Sequence, residues 1–207
     1  MKVLIINGSP RAGGNTSLAV SEIEKTLNEN GIETEVVEIG GKDIRGCVAC
    51  GYCFTHGKCA FNDIVNETAE KFEKADGLIV ASPVYYASPN GTVLAFLDRL
   101  FYSSHFDKTM KVGCAVAVCR RGGASATFDA LNKYFTISGM PVVSSQYWNS
   151  VHGRDKGDAA LDGEGLQTMR TLADNMAWLL KNIHSEHSLP LPEREAPQPM
   201  NFIRVES

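Results

Sequence analysis

The chain has 207 residues, of which 43% are hydrophobic and 21% charged. That is a globular composition, long enough for one α/β domain with a full core, and it excludes disorder as the organising state. A net charge of −4 without any basic tract argues against nucleic acid as the main partner.

Near the amino-terminus only a four-residue apolar run, residues 3–6, follows a single lysine. That run is too short for a signal peptide, and no stretch is apolar enough to span a membrane. The expectation is a cytoplasmic chain, in whose reducing compartment the six cysteines are thiols, metal ligands or redox groups rather than disulfides.

The β-branched run at residues 3–6 reads as a buried strand, ended by Gly8. A loop of small and polar residues follows over 8–14. Asn15, Thr16 and Ser17 are each able to cap a helix in which Ala19, Val20, Ile23 and Leu27 recur at helical spacing. Strand, tight loop and helix N-terminus together make a phosphate site, and Arg11 adds a fork of donors to a dianion. There is no Gly-Lys-Ser/Thr, and Gly8, Gly13 and Gly14 do not fit G-x-G-x-x-G. A terminal monophosphate suits this loop better than a triphosphate or a pyrophosphate; a glycine-rich turn that binds nothing is the competing reading.

Residues 34–39 read as a second strand and 40–61 as a cysteine- and glycine-rich loop, longer than a normal connection. Asn62 or Asp63 starts a helix carrying Ile64, Val65, Ala69 and Phe72. Residues 77–81 are a third strand, followed by the loop SPVYYASPN at 82–90 and a helix with Val93, Phe96, Leu97 and Leu100 inward. Residues 111–118 are a fourth strand, CRRGG at 119–123 the loop after it, and the next helix buries Phe128, Leu131 and Phe135. Residues 141–144 start a fifth strand. A last amphipathic helix carries Leu166, Met169, Ala173, Met176, Leu180 and Ile183. The proline-rich segment 185–207 is an extended arm on a single domain of residues 1–184.

Short apolar strands alternating with amphipathic helices mean an α/β three-layer, doubly wound sandwich on a five-stranded parallel sheet. A phosphate loop after the first strand suggests the order 2-1-3-4-5, with the ligand at the switch point. Three loops meet there: 8–17, 82–90 and 119–123. Pro83 stiffens the second loop, and Tyr85 and Tyr86 beside rigid backbone suit a flat polar heteroaromatic ring. The third loop lets backbone approach a ligand closely and brings positive charge.

GSPRAGGNTS after the first strand, ASPVYYASPNGTVLAFLDR after the third and CRRGG after the fourth resemble the NAD(P)H-dependent FMN reductase family, which includes the iron–sulfur flavoproteins. The resemblance runs from about Met1 to Ile183 and implies a flavodoxin-like fold. It implies FMN phosphate binding by Ser9, Arg11, Asn15, Thr16 and Ser17. It implies an isoalloxazine slot lined by Pro83, Val84, Tyr85 and Tyr86, with Arg121, Gly122 and Gly123 at the third loop. The reaction it implies is hydride transfer from NAD(P)H to flavin N5 and onward transfer to a quinone, flavin or other small acceptor, with no catalytic side chain required. A flavodoxin-type electron carrier with a redox-protein partner is the alternative. A homodimer or homotetramer is implied as well, and the apolar residues of the arm over 189–205 point the same way.

Cys47, Cys50, Cys53 and Cys59 form C-x2-C-x2-C-x5-C. The spacing compares with the ferredoxin run, and it resembles the compact motif of iron–sulfur flavoproteins. A 4Fe–4S cluster, redox-active or structural thiols, and zinc are the three readings. The loop leaves the second strand on the flavin side of the sheet, which makes electron exchange between a cluster and FMN geometrically accessible. Cys114, within a strand, reads as a small buried apolar residue.

Overall fold

The computed structural model describes residues 1–196 and 198. Strands β1 (Lys2–Asn7), β2 (Glu33–Glu38), β3 (Gly77–Tyr85), β5 (Val112–Cys119) and β6 (Ser150–His152) form a parallel sheet in the order β2-β1-β3-β5-β6. The two-residue strand β4 (Ser88–Pro89) pairs antiparallel with the end of β3. Counted without β4, the order is the expected 2-1-3-4-5.

Alternation along β1 shows why the sheet is covered on both faces. Val3 and Ile5 pack with α1 (Asn15–Glu29) and α6 (Gly163–Ile183). Leu4 and Ile6 pack with α3 (Ile64–Lys74), α4 (Gly91–Ser103) and α5 (Ala124–Ile137). All four β1 side chains are fully buried, the signature of a central parallel strand. Asp63 caps α3 and Asn90 caps α4, each accepting a backbone N–H two or three residues on.

Two boundaries differ from the sequence expectation. Residues 82–85 continue β3 rather than starting a loop, because Ser82 and Pro83 stay in register with Ala117 and Val118 of β5. Pro83 is tolerated there because it lies at the outer end of the ladder. Residues 141–144 do not start a strand: they make a single bridge, Val142 to Gly113. The Asn149 side-chain amide takes the Ala115 carbonyl at 3.1 Å, a place a strand amide would fill, and regular pairing resumes only at Ser150. The cysteine loop contains a short helix, α2 (Tyr52–His56), bracketed by Gly51 and Gly57 in the left-handed region.

After α6 the described arm has no regular structure. Arg194 Nη1 donates to Thr109 Oγ1 at 2.6 Å. Of the expected apolar arm over 189–205, residue 197 and residues 199–205 lie outside the described residues. Among the described residues no helix is long and apolar enough to cross a membrane.

Candidate active site

A cleft of about 300 Å3 opens at the carboxyl ends of β1, β3, β5 and β6, at the lower end of the roughly 300–1,000 Å3 range of small-molecule sites. Ser9, Arg11, Asn15 and Thr16 line one side, Pro83, Val84 and Tyr85 another, and Val118, Cys119, Arg120, Gly153 and Arg154 the floor and far wall.

The first loop is built from inside. Asn7 Oδ1 accepts the Ser9 amide at 3.1 Å, and Ser9 Oγ accepts the Arg11 amide at 3.2 Å. The Asn7 amide group donates to Ser17 Oγ and to Glu38 Oε1. Gly14 precedes α1 without any side-chain cap, so among the described residues no side chain takes up the first amides of α1. Thr16 is largely buried but lines the cleft, and among the described residues its hydroxyl bonds no protein group. Uncapped amides, the cleft-lining Thr16 and the guanidinium of Arg11 fit a phosphate monoester.

Asn15 has a different job. Its Oδ1 accepts the amides of Gly157 and Ala159 at 3.1 and 3.2 Å, and its Nδ2 donates to the Asp155 carbonyl. The side chain lines the cleft while bracing the loop after β6, which supplies Gly153 and Arg154. The sequence reading missed that fourth loop: β6 has only three residues and no periodicity announces it.

The second loop is a hairpin. Val84 pairs with Pro89 and Tyr85 with Ser88, so Tyr86 and Ala87 form a two-residue turn, with φ of 50° and 58°. Positive φ at both central residues is the primed-turn geometry that favours Asn-Gly. Tyr86 projects from the tip fully into solvent, and Tyr85 is about half exposed beside the cleft. Asn90, unmarked in the sequence reading except as part of the loop, joins this hairpin to the first loop. Its Nδ2 donates to the Gly8 carbonyl at 2.5 Å and its backbone amide to Ser82 Oγ at 3.1 Å.

In the third loop Arg120 lines the cleft, whereas Arg121, the arginine expected there, is not among its lining residues. Gly123 has φ of +90°, and a Cβ there would stand 2.6 Å from Ala87 Cα, so the third loop fits under the hairpin only as glycine. Gly122 meets nothing. Arg11, Arg120 and Arg154 together give the cleft a positive lining. Burial pushes the Cys119 thiol up, against a lowering hydrogen bond from the Arg121 amide, so it stays protonated at neutral pH and is no nucleophile. His152 turns to a separate hollow, paired with Asp162 at 3.4 Å beside Tyr147 and Trp148.

Cys47, Cys50, Cys53 and Cys59 line one cavity, with Phe61 and the α4 residues Arg99, Tyr102 and Ser103. Ala49 donates its amide to Cys47 Sγ at 3.4 Å. Cys59 is pinned by Asn66, which accepts its amide and donates to its carbonyl, both at 3.0 Å. Among the described residues no three metal-ligating side chains converge as the ligands of a metal ion would. The loop does begin on the cleft side: a Cβ on Gly40 would meet the Ser9 carbonyl carbon at 2.1 Å. It then descends, because Arg99 and Ser103 lie nine and thirteen residues beyond Asn90. At 1.5 Å per residue the cavity wall stands about 13–20 Å down α4 from the cleft.

The description NADPH-dependent FMN reductase belongs to the family model that matches residues 1–155. An iron–sulfur flavoprotein of Methanocaldococcus jannaschii is 37% identical over 191 residues, covering 88% of this chain and 99% of that protein. Among solved structures, RosB with bound 8-demethyl-8-formylriboflavin-5'-phosphate superposes with a TM-score of 0.74 at 16% identity, covering 100% of both chains. A flavodoxin from the domain Archaea superposes with a TM-score of 0.60 at 15% identity, over 87% of this chain and 99% of that one. The two structural likenesses speak for a flavodoxin-like fold. The family match joins the phosphate-type loop and the switch-point cleft: the chain belongs to the NADPH-dependent FMN reductase family and is an FMN-dependent oxidoreductase.

Proposed function

We propose that the chain takes reducing equivalents from NADH or NADPH and passes them to a quinone, a free flavin or another small electron acceptor, in the cytoplasm and as a homo-oligomer. The observation that carries this reading is the uncapped α1 N-terminus, with Thr16, Arg11, Arg120 and Arg154 lining the same cleft. FMN held there would supply the redox chemistry between nicotinamide and acceptor.

The residues of the chain bind and orient. The α1 amides, Ser9, Thr16 and Arg11 hold the phosphate. The Pro83–Tyr85 strand end walls the ring, and Asn90 keeps that wall in register with the phosphate loop. Arg120 adds positive charge to the cleft wall, which would favour a reduced, anionic flavin held there. Because one side of the cleft is open, donor and acceptor use it in turn.

The four cysteines are proposed to hold a 4Fe–4S cluster. What supports this is that the four thiols line one cavity, and that a relative matching 88% of the chain is called an iron–sulfur flavoprotein. The test is anaerobic. FMN-loaded protein is expected to oxidise NADH or NADPH with a quinone acceptor. Failure with both nicotinamides, alongside turnover with a reduced redox protein, would establish the electron-carrier alternative instead. Reconstitution is expected to give about four iron and four sulfide per protomer, with a broad visible absorbance lost in Cys50→Ser. Iron below about one per protomer would leave the thiol reading, with the flavin assignment untouched.

A further inference from the structure

We propose that Arg99 is a positioning residue that sets the reduction potential of the cysteine site, through the N–H it donates to Cys59 and the buried charge behind it. This rests on the reading of the four cysteines as cluster ligands.

Arg99 is 1% exposed, the largest fully buried side chain among the described residues. A guanidinium has five N–H donors and no way to shed its charge. Here all five have acceptors. The two Nη atoms donate to the Asp63 carboxylate at 2.7 and 2.9 Å, and to the Arg45 and Phe61 carbonyls at 3.3 and 3.4 Å. The fifth donor, Nε–H, is directed at Cys59 Sγ at 3.2 Å.

Four oxygens would satisfy a purely structural arginine that clamps residues 45–63 to α4. A neutral thiol is a poor acceptor for the remaining donor, whereas a thiolate or a cluster-bound sulfur is a good one. The four cysteines are therefore unequal. Cys47 receives a neutral backbone amide, and Cys59 receives a cation.

The electrostatic consequence has a definite sign. One-electron reduction of the cluster adds one negative charge and neither makes nor breaks a bond. A hydrogen bond to a ligand sulfur, and a fixed cation beside it, favour the more negative state and raise the potential. Asp63, on the far side of the guanidinium and 28% exposed, offsets part of that charge. Arg99 and Asp63 should thus move the potential in opposite directions, which a simple loss of packing would not do.

The test is a dithionite titration of the anaerobically reconstituted full-length protein, with the cluster followed by electron paramagnetic resonance and FMN by absorbance. Arg99→Met is expected to reduce the one-electron equilibrium constant about tenfold or more, a fall of about 59 mV. Asp63→Asn keeps an acceptor for the Val65 amide that caps α3 and is expected to raise the potential. FMN potentials should stay put in both.

Should Arg99→Met fail to fold or to hold iron, Asp63→Asn decides by its sign. An unchanged or lowered potential in Asp63→Asn overturns the tuning role, as does movement of both variants in the same direction. A wild type without iron and sulfide overturns the cluster reading and this inference together. A wild-type cluster whose potential neither variant moves overturns this inference alone.

Discussion

Thr16 is 2% exposed and lines the edge of the cleft. A hydrogen bond to a charged acceptor contributes roughly 1.5–3 kcal/mol. Thr16→Ala is therefore expected to weaken FMN binding by about one to two orders of magnitude while leaving the unfolding midpoint nearly unchanged; fluorescence titration of the apoprotein with FMN measures the first, a thermal melt the second. Gly123 is the opposite kind of residue, needed for its missing side chain. At φ +90°, with Ala87 Cα 2.6 Å from any Cβ, Gly123→Ala adds backbone strain of about 1–3 kcal/mol and displaces the hairpin. The expected result is a lower melting point together with weaker FMN binding, and an unaltered melting point would show that the hairpin yields freely. Residue types at the phosphate loop were legible because hydroxyls, glycines and an arginine at a strand–helix junction have one chemical use in common. Which amide braces and which hydroxyl binds was not. Asn15 and Thr16 are equally polar, and only the loop after β6, 140 residues away, takes up Asn15.

At the scale of elements, the apolar runs and helical spacings carried the whole alternation, since a strand buried on both faces has little else it can be. The misread boundaries share one cause, pairing with a distant partner. Residues 82–85 stay extended because β5 runs alongside, and residues 141–149 fail to because Asn149 takes the β5 carbonyl first. The Tyr86–Ala87 turn holds two non-glycine residues at positive φ, strain of the sort found at functional sites. Ala87→Gly is expected to stabilise the protein by about 1 kcal/mol, read as a raised denaturation midpoint; a fall would mean that the Ala87 methyl, packed over Gly123, outweighs the relief. Strand β2 supplies a pH-dependent tie. Glu35 bonds Lys2 of β1 and Lys71 of α3, each at 2.8 Å. The hydrogen bond from Lys2 first, then that from Lys71, holds its carboxyl below the usual range. A depressed carboxylate contributes stability above its unfolded pKa, about 4.3, and loses it as pH falls through the folded value. Glu35→Gln should accordingly narrow the gap between melting points at neutral and acid pH. An unchanged gap would assign the acid sensitivity to other carboxylates.

For the whole molecule, the pattern of exposed apolar side chains bears on assembly. Phe54 is 65% and Tyr102 52% exposed, edge to face at 5.6 Å beside the cysteine cavity. Tyr147 and Trp148, 62% and 55% exposed, lie together before the three-residue edge strand β6. Single exposed apolar residues are ordinary, but aromatic pairs at two places are what the cores of protein interfaces are made of. A short edge strand invites covering by another surface, and closed symmetry would let one patch meet its own copy. The expected state is a homodimer or homotetramer, and sedimentation velocity at micromolar concentration measures it. Trp148→Asp and Phe54→Asp, each placing a charge in one aromatic pair, are expected to shift the distribution toward smaller species without changing FMN affinity, because neither residue lines the cleft. A monomeric wild type overturns the assembly. An oligomer indifferent to both variants would place the interface elsewhere, on the helical faces rather than the aromatic pairs.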